Sequence, residues 1–251
     1  MTRRRRLDTE LVRRGLVASR GDALAVIDAQ RVLVNGAPAL KPARLVDPAD
    51  NLAVEGRAAR YVSRGGEKLE AALVGFALEV SGCRALDAGA STGGFTDCLL
   101  QHGASAVVAL DVGHGQLHPR IRDDERVHVI ERFNARHLTV DDIGGPVDTV
   151  VADLSFISLS LVVPNLVGVC RSGGILVLLV KPQFEAGRRE VSRGRGVITD
   201  PEVHEQACAS VAAALEAAGA LVRAWMPSPL LGGEGNREFL VYAEVPGVRA
   251  Q

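Results

Sequence analysis

The chain has little of what several protein classes require. Aromatic residues are 4% of its 251 residues, and the first 58 contain none. Base stacking by that N-terminal stretch is therefore not expected, and shape readout of a structured polyanion is favoured instead. The four cysteines, Cys83, Cys98, Cys170 and Cys208, form no C-x-x-C pair, and no histidines cluster near them. This excludes a metal site of the usual spacing and gives no disulfide framework; it fits a reducing, cytoplasmic setting. Long apolar runs are also missing. The strongest, Ile175 to Val180, is far short of a membrane span, so no membrane partner is expected. The basic opening, Met1-Thr2-Arg3 to Arg6, has the charge of a leader, but Leu7 to Gly15 carries Asp8, Glu10, Arg13 and Arg14 where an apolar segment would follow.

What is present is an ordinary globular composition, 47% hydrophobic and 24% charged, long enough for one or two domains. The net charge of -1 hides an asymmetry: Arg3 to Arg44 holds ten Lys or Arg against four Asp or Glu. A basic end on a near-neutral body points to a polyanion.

The rhythm of the sequence changes near residue 60. Leu7, Leu11, Val12 and Leu16 have helical spacing, with Asp8 or Thr9 as the expected cap. A second helix is expected over Arg20 to Ala29, with Ala23, Leu24 and Ile27 inward. Val32 to Val34 reads as a strand and Asn35-Gly36 as a hairpin turn, with Ala39-Leu40 and Leu52 to Val54 completing a small sheet. From Val62 onward strands and helices alternate. Helices are expected over Glu67 to Leu78, Gly94 to His102, Ser158 to Cys170 and Pro201 to Gly219. Strands are expected over Arg84 to Asp87, Ala106 to Asp111, Val127 to Ile130, Val147 to Asp153, Gly174 to Lys181, Leu221 to Met226 and Glu238 to Ala243. This order predicts an α/β, Rossmann-like, doubly wound and mostly parallel seven-stranded sheet behind a small N-terminal α+β domain.

The first strand of that sheet runs into Asp87-Ala88-Gly89-Ala90-Ser91-Thr92-Gly93-Gly94-Phe95-Thr96. Glycines let the backbone approach a ligand, and the amide groups at a helix start attract an anion. The spacing is not G-x-G-x-x-G, and a purely structural turn is the competing reading. Asp111 ends the next strand, where two carboxylate oxygens can accept both hydroxyls of a nucleoside ribose. Asn134 follows the third strand, where an adenine would lie; a plain turn residue is its alternative.

Four further residues fall at the same sheet edge. Asp153 ends the fourth strand and Lys181 the fifth. Glu238 begins the last strand, expected to be antiparallel, and Lys68 lies in the first turn of a helix that runs opposite to the first strand. A lysine there opposes the helix dipole, which argues for another purpose. Each alone could be a surface charge. Together they suit the activation of a hydroxyl, which is a poor nucleophile until it loses its proton. Lys181 is the expected base or alkoxide stabiliser, with Lys68, Glu238 and Asp153 aligning and tuning it.

These motifs together resemble the TlyA family of ribosomal RNA 2′-O-methyltransferases, some members of which carry the name haemolysin. The resemblance rests on Arg6 to Arg20, Val32 to Gly36 and Lys41-Pro42 for a small RNA-binding module of the ribosomal S-four type. It rests on Tyr61 to Leu69, Asp87 to Thr96, Asp153 to Ser158, Lys181 to Glu185 and Asn236 to Phe239 for a catalytic domain of FtsJ-like type. It implies an RNA-binding domain over 1–58, a linker over 59–63 and a methyltransferase domain over 64–251. It also implies S-adenosyl-L-methionine (SAM) as cofactor, with S-adenosyl-L-homocysteine as product. Asp87, Gly89 to Thr96, Asp111, Asn134 and Asp153 would line the cofactor, and a Lys-Asp-Lys-Glu tetrad carries onto Lys68, Asp153, Lys181 and Glu238. The implied substrate is cytidine in ribosomal RNA or a ribosomal subunit. Where some relatives have Arg-x-Trp-Val in the linker, this chain has Ala59-Arg60-Tyr61-Val62, so a linker role depending on that Arg and Trp does not carry over.

Phosphate contacts are expected from Arg3, Arg4, Arg5, Arg6, Arg13, Arg14, Arg20, Arg31 and Arg64. Arg188, Arg189, Arg193 and Arg195, among glycines in Ala186 to Val197, suggest a basic lid. Three other readings compete: a small-molecule O-methyltransferase, a membrane-acting haemolysin and a SAM-binding regulator without catalysis. The basic N-terminal module argues against the first, the missing apolar segment against the second and the intact tetrad against the third.

Overall fold

A computed structural model describes residues 4–55, 60–186, 197–232 and 235–247. The chain forms two compact units, Met1–Arg60 and Tyr61–Gln251.

In the first unit, β1 (Arg5–Arg6) pairs with β4 (Leu45–Val46), a two-stranded ribbon the sequence reading did not anticipate. Two helices follow β1: α1 (Leu7–Arg13) and α2 (Arg20–Asp28). Neither Asp8 nor Thr9 caps α1. The cap position is Arg6, and Asp8 lies inside the helix with its carboxylate buried. Ser19 caps α2 through a reciprocal box with Asp22, a device that stabilises a helix by about 1 kcal/mol. Ala23 and Ile27 face inward as expected, but Leu24 is exposed. A small sheet in the order β3-β2-β5 holds β2 (Val32–Val34), β3 (Ala37–Pro38) and β5 (Leu52–Val54). The Asn35-Gly36 turn, both residues at positive φ, sets the register Val34↔Ala37 and so puts β3 at 37–38 instead of the expected 39–40. Leu7, Leu11, Ala23, Ile27, Val32, Val34 and Leu52 form this unit's core.

The second unit contains a seven-stranded sheet in the order β11-β12-β10-β9-β6-β7-β8. Its strands are β6 (Arg84–Ala88), β7 (Ala106–Leu110), β8 (Val127–Ile130), β9 (Val147–Ala152), β10 (Cys170–Val180), β11 (Leu221–Pro227) and β12 (Phe239–Glu244). Neighbours from β8 to β10 are parallel, and β12 is antiparallel to both β10 and β11. Alternate residues of each central strand enter opposite cores, as the two-residue period of a strand demands. Leu86, Ala88, Val150, Leu176 and Leu178 pack on one face with α6 (Val163–Val169) and α8 (Pro201–Ala217). Ala85, Val107, Val151, Val177 and Leu179 pack on the other with α3 (Gly65–Gly75) and α4 (Gly94–Gln101).

Three boundaries differ from the sequence reading for local reasons. Helix α3 starts at Gly65, because Gly66 has room only for hydrogen against the Tyr61 ring. The expected helix over 158–170 is a 3-10 turn at Leu159–Leu161 followed by α6, with Pro164 in its first turn, where proline lacks nothing the helix needs. Strand β10 begins at Cys170, and its opening residues Arg171 to Gly173 are exposed; only the later part is buried on both faces. Two short helices complete the unit, α5 (Pro119–Arg122) and α7 (Pro182–Glu185).

Candidate active site

The order of the sheet reverses between β6 and β9, where chains leaving the carboxyl ends of β6 and β7 diverge from the loop that follows β9. Ligands of open α/β sheets bind at such a point. Residues Asp87 to Thr96 link β6 to α4 there. Gly89 (φ +87°) has its backbone against the Asp153 carbonyl; a Cβ at Gly89 would stand 2.6 Å from that oxygen. Gly93 (φ +95°) caps α4, and a Cβ at Gly94 would meet Ser63 Oγ at 2.2 Å. The loop is thus pinned from two sides, and only glycine fits at these points. Amides of Gly89 and Ala90 both donate to the Leu110 carbonyl, which ties the loop to β7. Ser91 is in the left-handed region without being glycine (φ +46°), and its amide donates to Asp111 Oδ2 at 2.7 Å.

Asp87 is fully buried beneath this loop. Thr96 Oγ1 donates to its Oδ2 at 2.6 Å, and its Oδ1 is buried without a hydrogen-bond partner. Burial pushes the carboxyl up to about 7; the Thr96 hydroxyl works against that rise and the Asp153 charge adds to it. Asp111 is held differently. Its two oxygens accept from the amides of Ser91 and Gly113, at 2.7 and 2.6 Å, and it is only half-buried. Each oxygen therefore keeps a lone pair for a further donor. Asn134 Oδ1 accepts the Arg136 amide and caps a 3-10 turn, which accounts for it locally.

The four Lys and acid residues form two ion pairs. Lys68 Nζ lies 2.5 Å from Glu238 Oε2, and both side chains are buried. Lys181 Nζ lies 2.5 Å from Asp153 Oδ1 and donates to Ser155 Oγ at 2.8 Å. Glu238 stands just before β12 instead of inside it, and Val180 pairs with Phe239, so Lys181 and Glu238 flank the last rung of that ladder. Charges taken out of water are expensive unless paired. Two such pairs at the edge where the loop lies are therefore unlike the surface ion pairs elsewhere on the unit.

Three features here escaped the sequence reading. Phe156, at φ +63°, is 92% exposed, and its ring sits 5.3 Å from that of Phe184. Glu185, at the end of α7, accepts from Ser158 Oγ and the Leu159 amide, both at 2.6 Å, and so fastens the 153–160 loop to the segment that follows Lys181. Asp97 on α4 accepts the Val62 amide at 2.8 Å and the Arg120 guanidinium at 2.6 Å. An apolar hollow over α8, lined by Cys208, Ala212, Trp225 and Phe239, holds none of the ion-paired residues. Among the described residues no group of three or more His, Cys, Asp or Glu could hold a metal ion, and no helix is long and apolar enough to cross a membrane.

Several expected phosphate ligands of the first unit are organised by buried acids. Arg6 and Arg20 both reach Asp8 Oδ2, at 2.9 and 3.1 Å, and their hydrogen bonds, Arg6's first, hold that carboxyl far below the usual range. Arg13 and Arg14 share Glu10, which is lowered to about 2, chiefly by Arg13. Arg14 also donates to the carbonyls of Asp47, Pro48 and Asp50, so its guanidinium ties a loop. Arg31 donates to the Glu55 carbonyl. Arg4 and Arg5 are exposed, as is Arg64 at the start of α3. Arg3 and the four arginines of the expected lid, Arg188, Arg189, Arg193 and Arg195, lie outside the described residues.

Comparison with known proteins agrees with this geometry. Residues 61–245 match the FtsJ-like methyltransferase family, and residues 5–52 match the S4 domain. A 16S/23S rRNA (cytidine-2'-O)-methyltransferase, TlyA, of Mycobacterium tuberculosis is 49% identical over 251 residues, covering 100% of this chain and 93% of that protein. A solved structure of a provisionally named hemolysin from Streptococcus thermophilus superposes with a TM-score of 0.77 at 40% identity, covering 98% of this chain and 90% of that one. An S-adenosylmethionine dependent methyltransferase from Mesorhizobium loti shares the fold of the second unit, with a TM-score of 0.50 at 17% identity over 68% of this chain and 95% of that one.

Proposed function

The chain belongs to the FtsJ-like methyltransferase family, and from that premise we propose that it methylates a ribose 2′-hydroxyl, that of a cytidine, in ribosomal RNA. The observation that supports this most is the pair of ion pairs, Lys68–Glu238 and Lys181–Asp153, beside the glycine loop.

SAM, the family's methyl donor, supplies an electrophilic methyl group on a sulfonium and leaves as S-adenosyl-L-homocysteine. The loop fits such a molecule. Gly89 and Gly93 keep the backbone free of Cβ atoms where a ligand must come close. Asp111, fixed by two amides, offers both oxygens to a ribose diol. Asp87, Ala90, Ser91, Thr92, Phe95 and Thr96 complete the cradle, and Asp153, whose carbonyl abuts Gly89, closes it.

Lys181 accepts the proton of the 2′-hydroxyl, which would leave that oxygen nucleophilic toward the methyl group that bound SAM would supply. Asp153 aligns the amine. Lys68, held by Glu238, adds a second positive charge that favours the developing alkoxide. Phe156 offers an exposed ring on which the base of the target nucleotide stacks.

The first unit supplies affinity. Arg6 and Arg20, set side by side on Asp8, meet backbone phosphates, with Arg4 and Arg5 beside them. A small-molecule substrate has no use for such a module, and a membrane-acting toxin has none for the paired lysines. The reading makes this a cytoplasmic enzyme whose partner is a ribosomal subunit or its RNA.

The test is methyl transfer from tritiated SAM to naked ribosomal RNA, to each subunit and to whole ribosomes, followed by analysis of the nucleosides. Label on cytidine 2′-oxygen is expected. Label on a base carbon or nitrogen, or no label in RNA, overturns the reading.

A further inference from the structure

We propose that Ser155 is a positioning residue that aims the amine of Lys181, so that the working unit at this edge is Lys181 with both Asp153 and Ser155. The inference rests on the reading of Lys181 as the group that meets the hydroxyl.

Valence limits how the Lys181 nitrogen can be held. A lysine nitrogen is tetrahedral; beyond its own Cε it has three directions, each usable by a hydrogen or, in the amine, by the lone pair. Ser155 Oγ, 2.8 Å away, takes one as a hydrogen bond. Asp153 Oδ1 lies 2.5 Å from Nζ as a charge partner but outside hydrogen-bonding geometry. The Ser155 hydroxyl is thus the directional contact: it fixes the rotation about Cε–Nζ, and with it where the remaining valences of the nitrogen point before substrate arrives. With Asp153 alone, the group could turn about Cε–Nζ, because a charge contact sets distance and not direction. Lysine side chains are long and rotamer-rich, so this second tether matters more for Lys181 than it would for a short base.

The surroundings hold Ser155 where the tether needs it. It lies two residues beyond Asp153, on the loop that leaves β9 just after the last β9–β10 pairing, Ala152 beside Leu178. Three residues further on, Ser158 Oγ and the Leu159 amide bind Glu185, and Ser160 Oγ approaches the same carboxylate at 3.4 Å. Glu185 closes the short helix that starts directly after Lys181. The loop carrying the tether is therefore clasped to the segment carrying the base. Between the two anchors Phe156 is held at positive φ, an unfavourable conformation for an aromatic residue that a loosely attached loop would relax. Ser155 itself is exposed, so no core packing depends on its hydroxyl.

The experiment compares full-length wild type, Ser155→Ala, Ser155→Thr and Lys181→Ala for methyl transfer from tritiated SAM to ribosomal subunits lacking the modification. It measures kcat, the KM for each substrate and thermal stability. Misaimed reacting groups cost on the order of tenfold to a hundredfold in rate. Ser155→Ala is expected to lose about tenfold or more in kcat, with both KM values and the melting temperature unchanged. Ser155→Thr, which keeps a hydroxyl on Cβ, is expected to recover to within about threefold of wild type. The inference is overturned if Ser155→Ala turns over within twofold of wild type, if its loss lies in KM alone, or if threonine restores nothing. Lys181→Ala separates the two levels. An active Lys181→Ala enzyme overturns the reading of the base. A dead one, with Ser155→Ala at wild-type rate, overturns only the tether.

Discussion

Asp87 makes the stability of the second unit depend on pH in an unusual direction. Its carboxyl is fully buried under the glycine-rich loop, and burial raises it from 3.8 to about 7. In the folded chain the proton stays on until about pH 7; in the unfolded chain it leaves near pH 4. Between those values unfolding releases a proton, so stability falls as pH rises, by about 1.4 kcal/mol per pH unit, and levels off above pH 7. Across the window this one group accounts for about 4 kcal/mol, on the order of a third of a typical domain's net stability. Asp87→Asn keeps the shape and an acceptor for Thr96 Oγ1 and removes the titration. The single tryptophan, Trp225 on β11, reports on this unit by fluorescence. Urea unfolding of both proteins at pH 5, 6, 7 and 8 should show wild type losing ground to Asp87→Asn as pH rises and holding a constant offset beyond pH 7. A difference in unfolding free energy that is flat from pH 5 to 8 would rule out a raised Asp87 carboxyl in the folded chain. Because SAM carries positive charge, binding near Asp87 favours its ionised form; cofactor affinity should therefore rise between pH 6 and 8 in wild type and stay level in Asp87→Asn.

Gly89→Ala puts a Cβ 2.6 Å from the Asp153 carbonyl at φ +87°, where left-handed strain alone costs an L-residue about 1–2 kcal/mol; SAM affinity measured by calorimetry should fall at least tenfold, on the order of 1.4 kcal/mol, with the fold retained. Glu238→Ala leaves the Lys68 ammonium buried without its partner, which costs roughly 3–5 kcal/mol; the melting temperature should drop sharply, and the double variant Lys68→Ala/Glu238→Ala should recover part of it while remaining inactive. Phe156→Ala removes a 92% exposed ring, so unfolding free energy should stay within about 0.5 kcal/mol of wild type, whereas methylation of ribosomal subunits should fall and SAM binding should not. Arg20→Ala should weaken RNA binding and flatten its log–log salt dependence by about one phosphate contact, as measured by filter binding between 50 and 200 mM salt.

The sheet was legible because its central strands are rich in apolar residues and several of the turns between them are punctuated by glycine. The topology followed from the alternation of strands and helices, with the antiparallel last strand the one exception that had to be assumed. Boundaries slipped where a local signal had a distant cause. Gly65 and Gly66 read as a loop, since glycine weakens a helix. They are helical because Gly66 carries the Tyr61 ring and Gly65 faces Phe95 and Gly94, and no sequence period records such contacts. Asp8 read as a cap because acids favour first turns. Its partner Arg20 is twelve residues away, and only the packing of α1 on α2 brings them together.

The candidate site divides along the same line. Asp153 and Lys181 end predicted strands, and Lys68 and Glu238 follow from the directions of a helix and a strand, so strand-end logic alone gathers all four at one edge. That logic works because parallel strands deliver successive carboxyl ends to one place regardless of side-chain detail. It is blind to loops. Ser155 and Phe156 lie on neither strand nor helix, and what sets them apart is a hydrogen bond to Lys181 in one case and an exposed ring on strained backbone in the other. Glu185 is blinder still to sequence reasoning: an acid four residues past a lysine on a short helix looks like a surface ion pair, yet its carboxylate faces the 153–160 loop. The residues proposed for the chemistry are thus fixed by topology, and those proposed to aim them are fixed by loops. An enzyme of this kind can keep its Lys and acid residues while changing how they are aimed, and Ser155 with Glu185 is where such a change would be found.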